Sequence, residues 1–341
     1  MAKKIAILTG GGDCPGLNPA IRGVVLKAAK LGYECLGIQE GWKGMIQADA
    51  RPLTPDGVRE IVGEGGTILG TSRTNPFKKD GGPEKVLEAF KTLGLHALVA
   101  MGGEDTLGVA ARLHKEHKVS VVGVPKTMDN DLGATDFTFG FDSAATLSME
   151  AAERLVDTGR SHRRAMVLEV MGRHAGWVAL YTAIGAGADY LCLPERPVDV
   201  KELCAKVKAA HDKKKVALVV ASEAVEFAGD KKEERLDEFG HMLLKERGVG
   251  ERLAKIIETQ TRIETRHAVI GHMQRGGAPT LFDRILGTRV GVKAAELVHA
   301  GEFGKMAALK GTEVVGVGLE AATAKLKTVT PDWLRLSDDL L

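Results

Sequence analysis

Two aspartates and a lysine fall on one short loop, Val122-Gly-Val-Pro-Lys-Thr-Met-Asp-Asn-Asp131, directly after an apolar run. Such a loop offers a phosphate a cation in Lys126, a general base in Asp129 or Asp131, and an electrostatic positioner in the other acid. Three Asx residues in succession also suit a plain turn. One strand earlier, Gly102-Gly-Glu-Asp-Thr106 places two adjacent acids behind two glycines at a helix start. Capping explains acids and a threonine there. The glycines also let a phosphate or a hydrated Mg²⁺ approach the backbone, and Mg²⁺ commonly takes one or two carboxylates plus phosphate oxygens.

A third glycine-rich turn, Thr9-Gly-Gly-Gly-Asp-Cys-Pro-Gly-Leu-Asn18, joins the first apolar run to the first helical pattern. Backbone N–H groups at such a junction favour an anion. It lacks the Gly-Lys-Ser/Thr of a P-loop, and Pro15 stands where the third glycine of the dinucleotide fingerprint would fall. A dehydrogenase is disfavoured on that ground. Arg73, Arg164, Arg173 and Arg275 each sit beside glycines or near strand ends, where guanidinium groups can hold phosphate oxygens bidentately. His162, His174, His267 and His272 show no metal-ligand spacing.

These residues need a frame, and the sequence supplies one. Apolar runs at Lys4–Leu8, Glu34–Ile38, Ala97–Met101 and Val119–Val124 alternate with helical patterns at Pro19–Leu31, Thr54–Val62, Pro83–Leu93 and Thr106–His117. Alternation of this kind predicts a parallel sheet covered by helices. It resumes with helices over Ser143–Thr158, Gly176–Ile184, Val200–Lys213 and Gly250–Gln260, and strands over Ala165–Val170, Tyr190–Leu193, Val216–Ala221 and Ala268–Ile270. Helix Leu281–His299 and strand Glu313–Gly318 follow. The charged stretch Glu223–Glu246, with Ala228-Gly-Asp-Lys-Lys-Glu-Glu234 inside it, reads as a surface excursion. In open parallel sheets ligands bind beyond the carboxyl ends of the strands, which is where the unusual residues fall.

A chain of 341 residues is ample for two domains. With 47 basic and 45 acidic residues the net charge is only +2, so nothing points to nucleic acid or an anionic membrane as partner. No apolar segment approaches the roughly 20 residues that span a bilayer, and the run Ile5–Leu8 is too short for a signal peptide. Four cysteines without metal-ligand spacing read as reduced thiols, so a cytoplasmic location is expected.

Taken in order and spacing from Lys4 to Arg289, these motifs resemble the phosphofructokinase family. The resemblance implies an α/β fold of two Rossmann-like three-layer α/β/α domains, 1–141 plus about 274–324 for the phosphoryl donor and 142–273 plus about 325–341 for the sugar phosphate. It implies phosphoryl transfer to the C1 hydroxyl of fructose 6-phosphate, reversibly, with Mg²⁺ as cofactor. Gly11, Gly12, Asp13 and Arg73 would cradle the donor and Glu104 would ligate Mg²⁺. Asp129 would be the base, with Thr127 and Asp131 beside it, and Arg173 would stabilise the transferred group. Met171, Gly172, Glu223, His272 and Arg275 would bind the sugar phosphate. Arg164 and Arg266 would reach the 6-phosphate from a neighbouring subunit, in a homodimer or homotetramer with shared active sites.

Two departures bear on the donor. ATP-using relatives commonly carry glycine in the places of Asp105 and Lys126, and here the pair resembles the branch that uses pyrophosphate. A carboxylate at 105 would face the α-phosphate of ATP; at about 4 Å and an effective dielectric near 20, the repulsion is roughly 4 kcal/mol before solvent screening. Lys126 adds a charge for a compact donor and is the weaker marker. The first helix also carries Leu26 where allosteric bacterial ATP enzymes have a second basic residue, while Arg22 remains. An ATP-dependent enzyme and a non-catalytic regulatory subunit of the same fold are the competing readings; the presence of Asp129, Asp131 and Arg173 weighs against the second.

Overall fold

A computed structural model describes residues 2–227 and 248–341. The tract 228–234, read above as a surface excursion, lies outside the described residues. Lys4–Thr9 (β1) leads through Leu17–Lys30 (α1) to Glu34–Ile38 (β2), Trp42–Gln47 (α2) and Ala50–Leu53 (β3). Then come Gly82–Thr92 (α3), Leu95–Gly102 (β4), Glu104–His117 (α4) and Val121–Pro125 (β5). Phe141–His162 (α5), Ala165–Val170 (β6), Trp177–Ala186 (α6), Tyr190–Cys192 (β7), Val200–Lys214 (α7), Ala217–Ser222 (β8), Val249–Thr261 (α8) and Thr265–Val269 (β9) follow. The chain closes with Leu281–His299 (α9), Lys305–Lys310 (β10), Glu313–Gly318 (β11), Leu319–Thr323 (α10) and Pro331–Leu340 (α11).

Among the described residues the strands form two sheets. The larger has the order β11-β10-β5-β4-β1-β2-β3, parallel except at its outer pairs, and the smaller, β7-β8-β6-β9, is wholly parallel. Strand alternation explains the layering. In β1, Ile5 and Ile7 join the core under α1 and α9, whereas Ala6 and Leu8 pack on the opposite face with residues of α2, α3 and α4. In β6, Met166, Leu168 and Val170 face α6, and Ala165 and Val167 face α7 and α8. Both sheets are therefore sandwiched by helices, the three-layer arrangement expected, and one core runs continuously from the large sheet to the small one.

The expected helix over Thr54–Val62 is instead two tight 3₁₀ turns, Asp56–Val58 and Glu60–Gly63. Thr54 Oγ1 accepts the N–H of Gly57 at 3.1 Å, so a side chain takes over a backbone bond at a residue of poor helix propensity. Strand β9 starts at Thr265, three residues before the expected Ala268, which puts Arg266 and His267 in the strand; two of its polar side chains are exposed, masking the pattern.

Candidate active site

Strand β1 lies between β4 and β2, so successive crossovers leave it in opposite directions and open a crevice at the carboxyl ends, the usual ligand position in such sheets. The turn after β1 passes very close to the start of α4. A Cβ on Gly10 or Gly102 would collide with the Thr106 side chain, which is why glycine flanks these strand ends. Loops following β1, β4, β5, β6 and β8 converge on one cleft.

The acid loop is built around Asn130, whose backbone is left-handed (φ 51°), a conformation Asn tolerates better than most residues. Its Oδ1 accepts the N–H of Thr138 at 3.2 Å. The turn therefore exists, as the bland reading held, and it places Asp129 and Asp131 on either side of Asn130 with both lining the cleft. Thr127 Oγ1 donates to Asp131 Oδ1 at 3.1 Å and accepts the N–H of Asp129 at 3.1 Å. Burial, and then the neighbouring charge of Asp129, pushes the Asp131 carboxyl up to about 7. The same two causes raise Glu223. Asp129 Oδ1 is buried and has no hydrogen-bond donor, alone among the described cleft atoms.

On the donor side, Gly11 and Gly12 line the cleft with Arg73, Glu104 and Asp105. Glu104 and Asp105 are the first two residues of α4. The cap position is Gly103, which makes no side-chain cap bond, so the expected capping is not seen; the two acids suit the helix dipole while lining the cleft. Lys126 is 4% exposed and its ammonium donates to the Gly12 carbonyl. Burial lowers its pKa, with Arg275 acting in the same direction. Arg275 lines the cleft too, and its Nη1 donates to the Asp13 carbonyl at 2.9 Å. Both cations thus also hold the glycine turn through its carbonyls, a role that residue types alone do not reveal. No group of three His, Cys, Asp or Glu side chains suited to a metal occurs among the described residues. The acids at Glu104 and Asp105 fit Mg²⁺ in its common mode, one or two carboxylates with the remaining ligands from phosphate and water.

Across the cleft stand Met171, Arg173, His174 and Glu223. Gly172 is buried beneath them, its carbonyl accepting from Ser222 Oγ at 2.7 Å. The Met171 N–H donates to Gln274 Oε1 at 2.8 Å, and Gln274 Nε2 donates to Ser148 Oγ at 2.8 Å. Gln274 was not singled out from the sequence; a buried amide anchoring a main-chain N–H leaves no pattern there. His272 is exposed on the short turn Gly271–Arg275 and does not line the cleft. Arg164 and Arg266 lie at the amino ends of β6 and β9, roughly 20 Å along the sheet from Met171 at about 3.3 Å per residue. Glu264 pairs with both, at 2.8 Å to Arg164. Within one chain they do not reach the cleft.

Residues 4–298 match the phosphofructokinase family model. The chain belongs to that family. A pyrophosphate–fructose 6-phosphate 1-phosphotransferase from Streptomyces coelicolor is 50% identical over 332 residues, covering 96% of each chain. ATP-dependent 6-phosphofructokinase 3 of the same organism is 47% identical over 334 residues, covering 96% of this chain and 97% of that one. Among solved structures, the pyrophosphate-dependent phosphofructokinase from Nitrosospira multiformis superposes with a TM-score of 0.86 at 22% identity over 97% of this chain and 87% of that one, which speaks to the fold. The two lobes and the cleft between their loops are the phosphofructokinase architecture. No helix among the described residues is long and apolar enough to cross a membrane.

Proposed function

We propose that this phosphofructokinase transfers a phosphoryl group from pyrophosphate to the C1 hydroxyl of fructose 6-phosphate, giving fructose 1,6-bisphosphate and phosphate. The observation that carries the chemistry is the unpartnered, buried Asp129 Oδ1. A buried acceptor without a donor is rare in folded proteins, and a substrate hydroxyl supplies the missing one. Proton transfer then passes from the C1 hydroxyl to Asp129 as the oxygen attacks phosphorus. Asp131, held by Thr127, orients the loop, and Arg173 meets the charge on the transferred group. Phosphoryl transfer depends on positioning and electrostatics more than on covalent participation, which suits a cleft rich in Arg, Lys and main-chain N–H. Mg²⁺, held by Glu104 with Asp105 adjacent, would neutralise phosphate charge.

Pyrophosphate as donor is supported by Asp105 on the cleft wall and by the names of the 50%-identical relatives. The ATP reading has support of its own. Beyond Glu104 and Asp105 a recess of about 270 Å³ continues past Phe77, Gly108 and Arg112, and ATP-dependent relatives are nearly as similar. Measuring fructose 6-phosphate phosphorylation with each donor decides between them: activity with ATP and none with pyrophosphate sinks the proposal. We assign residues 1–141 plus about 274–324 to the donor lobe and the remainder to the sugar-phosphate lobe. Arg164 and Arg266 fit a composite site completed by a second subunit. The exposed Met273 and Leu281, 68% and 76% accessible, give that subunit an apolar surface to cover.

A further inference from the structure

The proposed chemistry leaves one well-placed cation unused. Lys327 lies in the stretch between α10 and α11, nearly 200 positions from the acid loop in sequence. Its Nζ donates to Asn130 Oδ1 at 2.9 Å, to the Asp136 carbonyl at 2.8 Å and to the Thr135 carbonyl at 3.1 Å. Three acceptors match the three protons of an ammonium. Its own N–H donates to the Asp131 carbonyl at 2.7 Å. On its other side, the Lys327 carbonyl accepts from Trp177 Nε1 at 2.9 Å. Two residues on, the Val329 N–H donates to Glu195 Oε1 at 3.0 Å, and that oxygen also accepts the N–H of Gly176 at 2.9 Å.

Everything Lys327 binds through its ammonium and amide is in the segment 130–136, which has no helix or strand of its own and holds Asn130 and Ala134 in left-handed backbone. Trp177 opens α6, three residues after His174 on the opposite cleft wall. One residue thus fastens the loop of the two acids to the element that follows Arg173 and His174. An ordinary structural lysine would tie a surface loop to its own lobe. This one spans the two walls between which the proton and the phosphoryl group must move.

We propose that Lys327 is a positioning residue for phosphoryl transfer, setting the Asp129–Asp131 loop at its working distance from the Arg173–Trp177 wall. The inference rests on Asp129 being the proton acceptor. A misplacement of about 1 Å costs on the order of a hundredfold in rate, so loosening this tie is expected to lower turnover while leaving ground-state binding nearly intact.

The test compares Lys327→Met, Lys327→Arg and Trp177→Phe in the full chain, measuring kcat and both KM values at saturating co-substrate, with thermal melting alongside. Lys327→Met should lose about tenfold or more in kcat with each KM within about threefold. Lys327→Arg, which keeps the charge and several donors, should recover most of that loss. Trp177→Phe removes the indole donor and part of the buried ring, and should give a smaller fall in kcat of the same kind. A Lys327→Met enzyme with normal kcat, or one whose defect lies in KM, overturns the proposal. So does an equal loss in Lys327→Arg, and so does normal kcat in Trp177→Phe, since the bond from Lys327 to the opposite wall would then have no part in positioning. If Lys327→Met does not fold, Lys327→Gln is read against Lys327→Arg by the same criteria. Asp129→Asn is run in parallel: full activity there removes the base assignment, whereas an inert Asp129→Asn beside a normal Lys327→Met removes only the role of the lysine.

Discussion

The Thr127 hydroxyl stands between the two acids of the cleft, donating to Asp131 Oδ1 while accepting the Asp129 N–H. Its single proton is committed to Asp131, which separates the roles of two otherwise similar side chains. Asp131 is engaged within the loop; the Asp129 carboxylate retains a buried oxygen with no donor. Asp129→Asn keeps the shape and removes proton acceptance, so kcat should fall by about 10² to 10⁴ with little change in KM for the sugar. Near-normal turnover in steady-state assays would transfer the role elsewhere, first to Asp131.

Donor choice is tested at Asp105. Replacing it with glycine removes charge and bulk between the cleft and the recess lined by Phe77 and Arg112. Relative kcat/KM for ATP should improve by roughly tenfold or more, a screened share of the charge repulsion at this distance. Lys126→Gly should chiefly weaken use of pyrophosphate, by loosening the glycine turn that its ammonium holds at Gly12. An unchanged donor ratio in Asp105→Gly would remove the main electrostatic argument for pyrophosphate.

A composite site makes a different kind of prediction. Arg266→Ala and Asp129→Asn should each be nearly inactive at low fructose 6-phosphate, since a lost charge-assisted phosphate contact is worth roughly 1.5 to 3 kcal/mol. Unfolded and refolded together they should regain activity, because some interfaces would pair an intact Asp129 with an intact Arg266. Activity equal to the mean of the separate samples, with subunit mixing verified by mass, would show that the arginine acts within its own chain.

Stability should carry a pH signature from Asp283, which does not line the cleft. This residue is fully buried, and its Oδ2 accepts from the Ser143 N–H at 2.8 Å and the Ser143 hydroxyl at 2.6 Å. Burial raises its carboxyl to about 6 from 3.8. The folded state therefore holds the proton more tightly than the unfolded chain. This contribution is full below about pH 4 and is lost as pH rises through 6. By the linkage relation the whole effect is at most about 3 kcal/mol. Asp283→Asn removes it, so the variant's Tm should gain on the parent's between pH 4 and pH 7. A constant difference across that range would mean the carboxyl is not titrating in the folded protein.

The elements that present the site were readable because buried parallel strands are nearly continuous apolar runs and their loops are marked by glycine. Helix α9 and strands β2 and β6 begin and end where the pattern placed them. Strand β3 was missed because Arg51 and Pro52 give an exposed edge strand no apolar signature, and β10 because Lys305-Met-Ala-Ala-Leu-Lys310 reads equally as helix. Within the cleft, residue types pointed to Asp129, Asp131, Glu104 and Arg173. They could not reveal what Gln274, Arg275 and Lys327 hold, because most of the groups these side chains grasp are main-chain N–H and C=O. Those groups are common to nearly every residue, and only folding brings them within reach.

The pairing of β10 with β5, Lys305 beside Val122 and Met306 beside Gly123, has a consequence for how the protein is made. About 180 residues separate Pro125 from Lys305, so on a ribosome adding 5–20 residues per second the strand leading into the acid loop waits on the order of 10 to 40 s for its neighbour. Throughout that interval one edge of β5, an apolar strand, has its hydrogen-bonding groups unpaired, a template on which another nascent chain can add. A chaperone that covers this edge during synthesis would therefore answer a need that the finished enzyme no longer displays.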